Sequence, residues 1–101
     1  MYESYRSAYI YTSKNVFLGS AVVEAGEFDE HSIILRIADE VMGGMTTTFL
    51  LTLASDAMGL VTYKAEIAGF NLEYEEGAVY RVNCNLLEMV DIIQRRENFK
   101  V

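Results

Sequence analysis

Between residues 1 and 90 no stretch of this chain carries the apolar spacing of a long amphipathic helix. Short runs rich in β-branched and aromatic residues recur instead, about every ten residues, with glycine and acidic residues between them. "SAYIYTS" (7–13) is followed by a Lys14-Asn15 turn and "VFLGSAVVEA" (16–25). "GEFDEH" (26–31) reads as a turn into "SIILRIA" (32–38), and "DEVMGGM" (39–45) as a loop or one helical turn before "TTTFLLTLA" (46–54). "SDAMG" (55–59) has Asp and Gly where tight turns want them, and "LVTYKAEIAG" (60–69), a short "FNLEYEEG" (70–77) and "AVYRVNCNLLEMV" (78–90) complete the series.

Two of these runs alternate cleanly. Val61, Tyr63, Ala65 and Ile67 interleave with Thr62, Lys64 and Glu66, and Tyr80, Val82, Cys84 and Leu86 with Arg81, Asn83 and Asn85. Such a period of two gives a strand one buried and one wet face, as in an antiparallel sheet closed on its own core. "IIL" and "FLL" in the earlier runs predict strands covered on both faces, with something packed outside. Six or seven short strands in one small domain predict an all-β fold, a small antiparallel β-barrel of the split-barrel kind. Helix is expected only around residues 39–45 or 87–95. The chain has no proline, so nothing interrupts regular pairing and nothing guards an edge in the usual way.

With 101 residues, half of them apolar, the chain has material for one core and one domain, placed at residues 1–93. No apolar run approaches the roughly 20 residues of a membrane helix, and the start lacks the basic-then-apolar order of a signal peptide. A single cysteine, Cys84, cannot form an internal disulfide, and the cytoplasm is the expected compartment. The net charge is −7, but it is unevenly spread. Residues 94–101 carry Arg95, Arg96 and Lys100 against Glu97, a balance of +2, which leaves −9 for the other 93 residues. A body so acidic repels phosphate backbones, so no nucleic-acid partner is expected.

The body offers little chemistry. His31 sits in an acidic turn with no nucleophile in an obvious motif nearby, and reads as a solvated turn residue before a general base. Cys84, on the apolar side of its strand, reads as a buried structural thiol. Gly43-Gly44 is a turn pair, not a phosphate cradle, and "EYEEG" (73–77) a solvated acidic rim before it is a cation site. No catalytic residue, metal site or cofactor is assigned.

The end of the chain is different. In "QRRENFKV" (94–101), Arg95 and Arg96 carry planar forks that fit phosphate oxygens in pairs and also the O6/N7 edge of guanine. Lys100, four positions after Arg96, returns to the same ligand if the segment wraps it, a spacing suited to a compact, doubly charged, guanine-bearing molecule. This stretch resembles the start of PilZ domains, bacterial receptors for cyclic di-GMP, at Arg95, Arg96, Glu97, Phe99 and Val101, with Lys100 where the family usually has arginine. The body, in "GLVTYKAEIAGF" and "YRVNCNLLEMVDIIQRRENFKV", is similar to the end of the barrel that precedes the PilZ barrel in flagellar-brake-type proteins.

The resemblance implies a non-enzymatic regulatory module whose basic junction, Arg95, Arg96 and Lys100, supplies half of a cyclic di-GMP site. The family's other half, an Asp-x-Ser-x-x-Gly segment in the PilZ barrel, is not in this sequence. The chain is therefore expected to be part of a longer protein, the alternative being a stand-alone relative that keeps a vestige of the linker. A protein partner, the flagellar motor or another surface machine, is implied by the family. An exposed edge strand would serve it, or would allow a homodimer. The competing expectation is a small split-barrel enzyme binding a flavin or nucleotide. A flavin absorption band in purified protein would favour that alternative.

Overall fold

The computed structural model describes residues 5–27, 31–55, 59–74 and 77–90. They form six antiparallel strands and one short helix: β1 (Tyr5–Tyr11), β2 (Phe17–Glu27), β3 (Ser32–Ala38), α1 (Asp39–Met42), β4 (Thr48–Ser55), β5 (Gly59–Tyr74) and β6 (Ala78–Val90). The strands close into a barrel in the order β1-β2-β3-β6-β5-β4. The predicted antiparallel β-barrel is the fold. No described helix is long and apolar enough to cross a membrane.

Alternation builds the core. In β3, Ile33, Leu35 and Ile37 are buried while the residues between them are half-buried. Ile10, Leu51, Leu53, Phe49, Val82 and Cys84 meet them from the other strands, each at most 1% exposed. Completely burying one such aliphatic or aromatic side chain contributes roughly 1.5–3 kcal/mol, so this interior is the main source of stability. The expectation of two covered faces holds in β4 at Thr52, where Leu51, Thr52 and Leu53 are consecutive buried residues. It does not hold in β3, whose outward residues are only half-buried. Thr52, lying between two core leucines, points outward, and its hydroxyl pairs at 2.8 Å with that of Thr62, its register partner on β5. Both threonines are 1% exposed, and the mutual bond offsets the cost of drying two hydroxyls.

Turns follow their residues. Asn15 takes the left-handed conformation that Asn tolerates, at φ 71°, and the Thr12 hydroxyl accepts from the N–H groups of Lys14 and Val16. Gly59, at φ 77°, opens β5 where most side chains would be strained.

Two boundaries differ from the sequence reading. Residues 60–69 and 70–77 are not separate runs: β5 continues through Gly69 for 16 residues, and Ala68 is taken up as a bulge between the Ile67–Cys84 and Gly69–Asn83 pairs. Residues 87–90 belong to β6 and are strand, so the described helix is α1 alone, within the other predicted region. α1 begins with Asp39 and Glu40, favourable in a first turn, and stops at Gly43-Gly44. It lies on the path from β3 to β4, strands that are not neighbours, and so sits across one end of the barrel. Val41 is its buried residue. It lies so close to β2 that a Cβ on Gly19 would come within 2.6 Å of a Val41 methyl.

Candidate functional site

The predicted site residues Arg95, Arg96 and Lys100 lie outside the described residues, as do Glu75 and Glu76 of the acidic turn and the boundary between residues 93 and 94. The last described residue before the basic segment is Val90, the end of β6.

What the described residues do bring together is a charge cluster on the outer wall. Arg36 of β3 and Arg81 of β6 are register partners, so two guanidinium groups start from directly opposed positions. Like charges so placed repel. A carboxylate separates them. Glu24 is the extra residue of a bulge in β2, between the Val23–Leu35 and Ala25–Ile34 pairs. Its Oε1 accepts from Arg81 Nε at 2.5 Å and its Oε2 from Arg36 Nη1 at 3.1 Å. Arg36 Nη1 also donates to Glu73 Oε1 of β5 at 3.1 Å, so four strands are tied by two arginines and two glutamates. The Arg81 hydrogen bond above all, helped by Arg36, holds the Glu24 carboxyl below its ordinary value against an opposing desolvation effect. The cluster is neutral in sum.

Beside it lies a shallow depression of about 440 Å³ between β1, β2, β3 and β6, with the Ser7, Tyr9 and Ser20 hydroxyl residues on one flank and Arg36 and Val79 on the other. At the barrel end near α1, partial burial raises the Tyr80 phenol, and the Asp39 carboxylate beside it adds to the shift. Phe70 packs edge-on against Tyr80, with ring centroids 5.7 Å apart.

The residues weighed from sequence fall as follows. Cys84 is buried, and burial pushes its thiol up to about 12, so it is protonated at neutral pH. His31 is exposed at a turn, with φ 60° and its carbonyl accepting from the Leu86 N–H. Glu73 is engaged with Arg36, and no group of three potential metal ligands occurs among the described residues. Sequence reasoning passed over Glu24, Arg36 and Arg81. Outward positions on alternating strands were the available signal for both arginines, but their meeting depends on register between distant strands.

Comparison of the chain with family profiles, curated proteins and solved structures finds no match.

Proposed function

We propose that this chain is the N-terminal barrel of a PilZ-type cyclic di-GMP receptor, a regulatory module that relays nucleotide binding to a protein partner and catalyses nothing. The observation that carries this reading is a juxtaposition. The sequence "QRRENFKV" follows, after three residues, the last strand of a closed barrel whose interior is given to apolar packing. In the intact receptor Arg95, Arg96 and Lys100 would grip the nucleotide at the junction with a following PilZ barrel. Binding would act by favouring one arrangement of the two barrels over another. The outer charge cluster supports the structural half of this reading, because its arginines are occupied by glutamates.

In the protein carrying its PilZ barrel, Arg96→Ala should weaken cyclic di-GMP binding by roughly ten- to a hundredfold. That is the effect of losing one charged partner worth about 1.5–3 kcal/mol. Lys100→Arg should bind as well or better. The 101-residue chain alone should bind weakly, since a few exposed charge contacts cannot offset ordering the segment that makes them. Wild-type affinity in Arg96→Ala, measured by calorimetry, would remove the basis for the proposal.

A further inference from the structure

The β5–β6 hairpin is longer than the wall it belongs to. β4 accompanies β5 only to the Thr48–Glu66 pair, and a last bond from the Ile67 N–H to the Thr47 carbonyl ends the seam. Residues 68–74 have β6 on one side and, among the described residues, no strand on the other. Exposure agrees with an open edge. Phe70, Leu72 and Tyr74 are 54%, 41% and 76% exposed, Asn71 between them is also exposed, and a Cβ on Gly69 would meet nothing within 4 Å. The three apolar side chains are two residues apart and so share a face. Unpaired backbone groups behind an apolar row are a template for another strand.

We propose that residues 70–74 pair with the same residues of a second copy, antiparallel about a two-fold axis at Leu72, so that the chain is a homodimer with one sheet running through both barrels. The edge is self-complementary in that register. Leu72 meets its own counterpart, Phe70 lies opposite the partner's Tyr74, and Asn71 lies opposite the partner's Glu73. The apolar rows of the two copies become one row of six side chains on a common face. No like charges meet, and Glu73 already has its counter-charge in Arg36. Phe70 is held in place beforehand by its edge-on contact with Tyr80. Two bodies of net charge −7 repel at long range, so this association should tighten with added salt. Capture of a basic strand from another protein would weaken with salt instead. The dimer does not depend on the nucleotide reading and can be tested without nucleotide.

Sedimentation velocity of the 101-residue chain over a wide concentration range should show a monomer–dimer equilibrium that shifts toward dimer as salt is raised. Leu72→Lys places two ammonium groups at the axis and should weaken the dimer roughly tenfold or more, with the far-ultraviolet circular dichroism unchanged. Leu72→Cys should cross-link on mild oxidation, because directly opposed antiparallel residues lie about 4.5–5.5 Å apart, within disulfide reach. Val22→Cys, exposed on β2, should not. A persistent monomer, a dimer indifferent to Leu72→Lys, or equal cross-linking at both cysteine positions would overturn the proposal.

Discussion

Glu24 shows how much of this barrel's outer wall depends on one carboxylate. Arg36 and Arg81 face each other across two strands, and the Glu24 side chain between them is 29% exposed. Glu24→Gln keeps the shape and removes the charge, leaving two guanidinium groups opposed. The expected loss is about 1 kcal/mol at neutral pH, the upper range for exposed pairs because two contacts and a repulsion change together. The direction of the pH dependence follows from the lowered carboxyl. The folded state holds the Glu24 proton less tightly than the unfolded chain, whose ordinary value is 4.5. The stabilisation is therefore complete above that range and is lost as pH falls through the folded value. Urea titrations between neutral pH and pH 3 should show the gap between wild type and Glu24→Gln closing in acid. A constant gap would mean that the carboxylate's charge is not what matters. None of this was readable from the chain, since a bulge residue on β2 and arginines 45 positions apart are joined only by register.

At the scale of elements, α1 is small and strictly fitted. Its Val41 occupies the space that a side chain on Gly19 would need. Gly19→Ala should cost about 1–3 kcal/mol by overpacking, and Val41→Ala should cost less on its own. Combined, the two should be less destabilising than their sum, because the second removes the methyl that the first strikes. Thermal or urea unfolding of the three variants measures this directly, and simple additivity would place the strain elsewhere. The limits of sequence reading show at this scale too. β3 begins and ends where the residues said it would, between two stretches that read as turns, and β6 begins where they said as well. β5 did not. Gly69 reads as a break, yet a bulge at Ala68 lets the strand pass it and stay paired with β6. The apolar sequence after Asn85 is equally consistent with helix or strand, and pairing with β5 decides for strand as far as Val90. The basic segment that motivates the functional reading was legible as chemistry, while its place in space lies outside the described residues.

Taken whole, the molecule is two halves of the same design. β1, β2 and β3 form one meander and β4, β5 and β6 another. Within each, neighbours in sequence are neighbours in the sheet, whereas the seams β3–β6 and β1–β4 join strands far apart in the chain. A sequence announces hairpins but not seams, which is why a barrel could be expected and its strand order could not. The crossover through α1 is the only covalent link between the halves. Its closing turn at Gly43-Gly44 lies on the surface, with both glycines exposed. Each meander has one apolar face and cannot bury it alone, and the seams form only after a long stretch of chain has been brought together, which makes for slow folding. The barrel is thus a complementation pair written as one polypeptide. Severed between Gly43 and Gly44, the two pieces should each lack a stable fold and regain the β spectrum when mixed in equal amounts. Fragments that stayed unfolded together would show that the halves need their tether in order to find each other.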